Sequence, residues 1–468
     1  MNDIFELSED GKVLLKLKER KAREVVIPDG VAVIGASAFF DCSSLQSVVI
    51  PRGVVAIEDC AFCNCSSLQS VVIPDGVISL GSSAFYGCHL LEKINIPRSV
   101  RDVSPLAFWG CVSLTEIDVS PENVVYKSVA GVMYDSELTM VLCYPPGRNE
   151  RELVIPSSVV AIGDWAFATC RYLDVLHIPA GVRSVGKGAF SHSSLKGLKL
   201  PDSVTTLGAK AFEKSSLQSF AMPCAATAVP ECCFCDCFSL RHIELQNVLS
   251  VGECAFSGCR SLQEVTLPRS LLSVGKAAFY GCLSLRSVVL QGCVKTVSDE
   301  AFAFCSSLQC VDIPAQVETV GALAFRNCSS LKSINVSGGS ASYSSADGVL
   351  FNKEATELVC FPAKKESETY KIPAGVVSVG YWAFYYCKAL REIDVPQSVT
   401  SLGALAFGCC SGLRALYVHW TGVAHLKISK RAFKDLNLEE CVLYVPAGTE
   451  EVYRKHRTLG RFKNIVAK

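Results

Sequence analysis

The chain has 468 residues, half of them hydrophobic, and its 45 basic and 45 acidic side chains cancel at neutral pH. That balance disfavours nucleic acid or an anionic membrane as a partner, and no run approaches the roughly 18 consecutive apolar residues of a membrane span. Length alone would suggest about three globular domains, but the spacing of the apolar residues overrides that prior.

Residues 1–24 read as a hairpin cap: Phe5 to Leu7 and Val13 to Leu17 flank the turn Ser8-Glu9-Asp10-Gly11, ahead of a basic run from Lys16 to Arg23. From Val25 a motif of 22 or 23 residues recurs. Between Leu68 and Leu90 it reads LQSVVIPDGVISLGSSAFYGCHL, with Leu68, Val71, Ile73, Val77, Leu80, Ala84, Phe85 and Cys88 as its apolar set. Repeats of about 20 to 50 residues mark one supersecondary unit stacked many times. Fourteen leucines from Leu45 to Leu413 count the units, which predicts a β-rich solenoid of about 14–15 coils.

Within a coil, Leu-x-x-Val-x-Ile is a short strand with alternate residues inward, ended by a proline that cannot donate to a ladder. Val-x-x-Leu-Gly forms the return, where Gly81 and its equivalents are expected to permit a tight turn. Ala-Phe closes the back. The repeat fills residues 25–119, 152–336 and 371–446. Residues 120–151 and 337–370 are expected to be inserted β-hairpins, since YKSVAGVMYDSELTMVLCYPPG from Tyr126 matches YSSADGVLFNKEATELVCFPAK from Tyr343 at a constant offset of 217. Trp165 and Trp382, each just before the Ala-Phe of the following coil, are expected to be the floor on which the hairpins pack. Residues 447–468 read as a C-terminal cap with a short helix that Thr449 begins.

Twelve of the 25 cysteines, Cys65, Cys88 and Cys111 among them, occupy one repeat position, three after the Phe. Strands of adjacent coils lie about 4.8 Å apart with side chains parallel, whereas a disulfide wants Cβ atoms about 3.8 Å apart and turned toward each other. The expectation is a file of buried free thiols, suited to a reducing compartment. Cys60, Cys63, Cys232 and Cys235 exceed this file at Cys-x-x-Cys spacing, a zinc or redox signature. Inward and outward positions interleave there, so no convergent metal site and no cofactor are expected. The seven histidines are scattered, and neither a Gly-x-Ser-x-Gly elbow nor a phosphate loop occurs, which argues against an enzyme. The aromatics after Ala-Phe (Phe40, Tyr86, Trp109, Tyr280, Phe304 and Tyr385) read as packing along the back of the coils.

The repeat Leu-x-x-[Ile/Val]-x-[Ile/Leu]-Pro-x-x-Val-x-x-[Ile/Leu]-Gly-x-x-Ala-Phe-x-x-Cys resembles the BspA-like leucine-rich repeat family of bacterial surface and adhesin-type proteins, over roughly residues 25–446. The resemblance implies a right-handed curved solenoid with a parallel β-sheet on its concave face. It implies a non-enzymatic interaction scaffold that adheres to host matrix proteins or other cells through that sheet or the hairpins. The strip one, two and four residues after each leading Leu supplies the candidate contacts: Glu92, Lys93, Glu116, Asp118, Asp174, Arg241, Arg286, Arg391, Asp394, Arg414 and Tyr417. The expected partner is a protein or glycan, with no nucleic acid and no membrane span, and the expected state is a monomer. The start MNDIFELSEDGK does not read as an export signal, so the default address is cytoplasmic; a trimmed chain would belong at the cell surface or outside. The alternative reading is an intracellular thiol-rich protein that binds metal or buffers redox changes through its cysteine clusters.

Overall fold

In the computed structural model, which describes residues 4–468, adjacent coils are joined by three ladders. The first pairs the leucine-led strands in parallel: Glu24–Val26, Ser47–Val49 and Ser70–Val71 run side by side, with Val25, Val48 and Val71 in register. Burial alternates along these strands, as in Cys310–Ile313, because successive side chains leave a strand on opposite faces. The second ladder joins the return strands Val33–Ile34, Ala56–Ile57, Ser79–Leu80 and Asp102–Val103. The third runs along the back, where Phe amides donate to the Ala carbonyl of the next coil: Phe39 to Ala61 at 2.7 Å and Phe62 to Ala84 at 2.7 Å. The rings follow, with centroids 4.7 Å apart for Phe39 and Phe62 and 5.3 Å for Phe62 and Phe85.

Leu68, Leu91 and Leu114 are completely buried in one hydrophobic cluster. Each such side chain contributes about 1.5–3 kcal/mol once covered. A single coil leaves its inward set open on both sides, so only stacking supplies the cover.

The chain divides into two units, residues 1–226 with 232–237 and residues 227–231 with 238–468. In the first, Phe5–Leu7 pairs antiparallel with Val13–Leu17, which then joins the return ladder through Val13 and Val33. Met1 to Asp3, part of the expected cap, lie outside the described residues. In the second, the expected helix spans Glu450–Lys455 and buries Tyr453, whose hydroxyl donates to the Trp420 carbonyl at 2.7 Å. Thr449 precedes the helix but makes no side-chain cap; its hydroxyl donates to the Pro446 carbonyl at 2.6 Å. After the helix the chain forms one more strand, Asn464–Ala467, parallel to Val442–Val445.

Tyr126–Val129 and Val132–Asp135 pair antiparallel, and Met140–Cys143 then enters the return ladder beside Ala161–Ile162. Tyr343–Ala346, Val349–Asn352 and Glu357–Cys360 repeat this arrangement. The tip of each hairpin closes an edge of the leucine-led ladder: the Ile117 amide donates to the Gly131 carbonyl at 3.0 Å and the Ile334 amide to the Gly348 carbonyl at 2.9 Å. A cation clamps each tip. Arg148 donates to the carbonyls of Ala130 and, at 3.3 Å, Thr115; Lys365 donates to the Asp347 carbonyl at 2.6 Å. Paired and clamped edges are protected from strand addition.

The expected reason for the glycines needs correction. Gly81 does not adopt left-handed backbone; instead, a Cβ there would lie 2.6 Å from the Asp59 amide nitrogen. Gly186 faces the Asp164 nitrogen at the same 2.6 Å, and Gly403 the Tyr381 nitrogen at 2.7 Å. The glycines open a turn, the Ala84 amide donating to the Gly81 carbonyl at 3.3 Å, but what selects glycine there is the close approach of neighbouring coils and not left-handed backbone. Left-handed backbone falls on other residues, such as Ser37, Cys60 and Asn64 with φ of 60°, 57° and 60°. Each costs about 1–2 kcal/mol, offset by amide bonds to the next coil: Ser37 to the Asp59 carbonyl at 2.9 Å, Cys60 to Ser82 at 2.8 Å and Asn64 to Tyr86 at 2.7 Å.

Trp382 lines a small pocket with Leu350 and Cys360 of the second hairpin's strands, and both tryptophans also reach the coil before the insertion. Trp165, left-handed at φ 59°, packs 4.6 Å from Trp109 of the coil before the hairpin. The intervening coil places Tyr144 in the Phe stack, 5.4 Å from Phe167, and runs straight into Pro145-Pro146-Gly147 where other coils turn toward their cysteine. Trp165 fills the layer that this shortcut leaves thin. In the second unit Trp382 meets the Arg326 guanidinium at 4.4 Å in the same way.

Candidate functional site

The ladder cysteines make a bond that explains their recurrence. Thiols along the file donate to the Phe carbonyl of the preceding coil: Cys65 to Phe39 at 3.2 Å, Cys88 to Phe62 at 3.2 Å, Cys111 to Phe85 at 3.1 Å and Cys410 to Phe384 at 2.9 Å. All four are buried free thiols. Burial pushes the Cys410 thiol up to about 12 and Cys88 well above its ordinary range. That is opposite to a reactive thiol, which needs a depressed pKa and access. Burial, and then the neighbouring Cys60, raise the Cys63 thiol to about 11. Among the described residues no group of three or more His, Cys, Asp or Glu could hold a metal ion, and nothing supports the metal or redox alternative.

The candidate strip residues do not form one patch. In the first unit Lys93 meets Glu116 at 2.6 Å, so each holds the other charged. Asp174 pairs with Arg151 at 3.0 Å, and Glu92 and Asp118 are exposed. In the second unit Arg241 and Arg286 are exposed. The Arg391 guanidinium donates to the Gly412 carbonyl at 3.2 Å, and that of Arg414 to Ser411 at 3.0 Å. Both tie down backbone at strand entry.

Asp394 and Tyr417 are brought together. Lys371, Asp394, Tyr417 and Tyr444 stand in register across four parallel strands, Thr369–Lys371, Glu392–Val395, Ala415–Val418 and Val442–Val445. Because they share a register position they share a face, and they line a cleft of about 480 Å³ with Glu392, His419 and Lys468. The volume lies within the range of about 300–1,000 Å³ usual for ligand sites. The Tyr417 and Tyr444 rings stack 4.6 Å apart at 12°, and the Lys468 ammonium sits 4.2 Å from the Tyr417 centroid. Asp394 is held between His419 Nε2 at 2.7 Å and Lys371 Nζ at 3.9 Å. Burial, then the charges of Glu392, Tyr444 and Asp394, raise the Tyr417 phenol. Three features escape a reading of the repeat alone. His419 replaces the strand-ending proline seen at Pro396, Tyr444 lies in a degraded coil, and Lys468 follows an unanticipated strand. The signal was present in the Tyr-Val pairs at 417–418 and 444–445.

The family model described as BspA type Leucine rich repeat region, in 6 copies, matches residues 17–129, 147–249, 227–346 and 357–453. Similar solved structures include a leucine-rich repeat protein from Eubacterium ventriosum, 23% identical, covering 64% of this chain and 94% of that one with a TM-score of 0.53. A leucine-rich cell surface protein from Faecalibacterium prausnitzii is 25% identical over 71% of this chain and 93% of its own, with a TM-score of 0.45. No curated protein matches the chain. No helix among the described residues is long and apolar enough to cross a membrane.

Proposed function

The chain belongs to the BspA-type leucine-rich repeat family, and from that premise we propose that it is an adhesion-type scaffold whose partner protein docks on the leucine-led strands from Thr369 to Ala467, centred on the Tyr417–Tyr444 cleft. The family is one of protein-interaction scaffolds; adhesion and the docking face are the added reading. The observation that carries it is the convergence of two stacked tyrosines with Lys371, Glu392, Asp394, His419 and Lys468 around one cleft. Interface centres are enriched in Tyr, Trp and Arg, set in well-packed pockets. The hairpins are poorer candidates because Arg148 and Lys365 clamp their tips.

The test is binding of the full chain to purified extracellular-matrix proteins and to intact cells, compared with Tyr417→Ala. A hot-spot tyrosine removed costs about 2 kcal/mol or more, a loss of about thirtyfold. Charge reversal at the first-unit pair Glu116 and Asp118 serves as the comparison. A partner bound equally by wild type and Tyr417→Ala, but lost on reversing Glu116 and Asp118, would move the interface to the first unit.

A further inference from the structure

We propose that the cleft receives a lysine or arginine side chain from a basic segment of the partner protein, with Glu392 as its counter-ion and the tyrosine pair as its cation-binding wall. This rests on the docking face proposed above and specifies its chemistry. Three observations support it. The wall already holds an ammonium: Lys468 Nζ lies 4.2 Å from the Tyr417 centroid and 5.6 Å from that of Tyr444. Aromatic rings attract cations through their quadrupole, and a stacked pair in a part-buried cleft strengthens that attraction by limiting solvent.

The second observation is the distribution of charge. Asp394 is engaged by His419 and Lys371, whereas Glu392 has no ion-pair partner among the described residues. The fixed groups therefore leave one carboxylate available beside the rings. The third is the character of Lys468. It is exposed and held by rings rather than by a carboxylate, so an incoming cation can displace it and gain Glu392 as well. A hydroxyl-rich glycan would use the same rings without needing the Glu392 charge.

The experiment titrates the full chain with three capped pentapeptides that differ at one central residue: lysine, arginine or uncharged norleucine. The lysine and arginine peptides are expected to bind about tenfold tighter than the norleucine peptide. Glu392→Gln is expected to erase most of that difference, Lys468→Ala to strengthen binding by removing the competitor, and added salt to weaken it. Equal affinity for the norleucine peptide would overturn the inference. So would binding of simple methyl glycosides unaffected by Glu392→Gln, or no binding of either basic peptide at millimolar concentration. The two readings fail separately. A partner that needs Tyr417 but is not displaced by the basic peptides leaves the docking face standing and removes the cation. A partner indifferent to Tyr417→Ala removes the docking face, whatever the peptides do.

Discussion

Replacing Gly81 by alanine tests what holds neighbouring coils in contact. An added Cβ would lie 2.6 Å from both the Asp59 amide nitrogen and the Glu58 carbonyl carbon, and both are backbone atoms that cannot swing aside. Coil must move from coil. Glu58, Ser104, Pro230, Ser298 and Ser429 occupy the same place in other coils, so a Cβ is accommodated where the adjoining coil is set to match. A coil built around glycine has to be displaced to that setting, which places the cost in the overpacking range of about 1–3 kcal/mol. Gly53 is the control: its φ is not positive, and a Cβ there would meet nothing nearer than the Val31 carbonyl oxygen at 3.6 Å. Alanine at Gly53 should stabilise by about 0.4–1 kcal/mol by restricting the unfolded chain. Urea unfolding followed by circular dichroism reads both as shifts in midpoint at unchanged slope. Gly81→Ala should fall below wild type and Gly53→Ala should rise above it. If Gly81→Ala matches or exceeds Gly53→Ala, close approach is not the reason for glycine at that place.

The buried thiols predict alkaline lability. Cys170, Cys410 and Cys441 are buried and pushed up to about 12, while an unfolded thiol ionises at about 8.5. Above that value the unfolded chain sheds protons that the folded chain keeps, so each thiol removes about 1.4 kcal/mol of stability per pH unit until its folded pKa is reached. Denaturation midpoints should hold from neutrality to about pH 8.5 and then drop steeply; a flat profile to pH 10.5 or so would contradict the burial of the ladder. Arg148→Met, which removes the clamp on the Ala130–Gly131 tip, should speed exchange of the Ile117 amide, which donates to the Gly131 carbonyl, and cost about 1.5–3 kcal/mol as a lost charged hydrogen bond. Hydrogen exchange by mass spectrometry checks it, with Lys365→Met giving the same result at Ile334, the donor to the Gly348 carbonyl. Trp165→Ala should open the thin layer beside Trp109 and lower the melting temperature, whereas a floor under the hairpin would instead free the Val132–Asp135 strand to exchange.

The hydrophobic period was legible because it is local: Leu68, Val71, Ile73, Val77, Leu80 and Phe85 recur every 22 or 23 residues and are all buried. The thiol file followed from phase alone. The insertions were visible as two matched segments, whereas the tips at Gly131 and Gly348 lie a few residues ahead of the alternation that drew notice to them. The reason for glycine at position 81 was hidden, because its neighbours in space, Glu58 and Asp59, lie a full coil back in the chain. The contact of Trp165 with Trp109 was not legible, because it reaches two coils back, across a coil that takes a shortcut. The cleft was only half visible, since a repeat lists equivalent positions but does not say which are filled together. Asp394 and Tyr417 came from the repeat; His419, Tyr444 and Lys468 came from departures from it.

Sequence by itself therefore determined the coil, its inward side chains and the identity of the family, because burial in a solenoid depends on period and each coil carries the whole period. Tertiary structure alone decided how closely coils approach, what fills the layer beside each hairpin, and which exposed side chains share a cleft. Those outcomes depend on distances between residues a coil or more apart, which spacing along the chain does not encode.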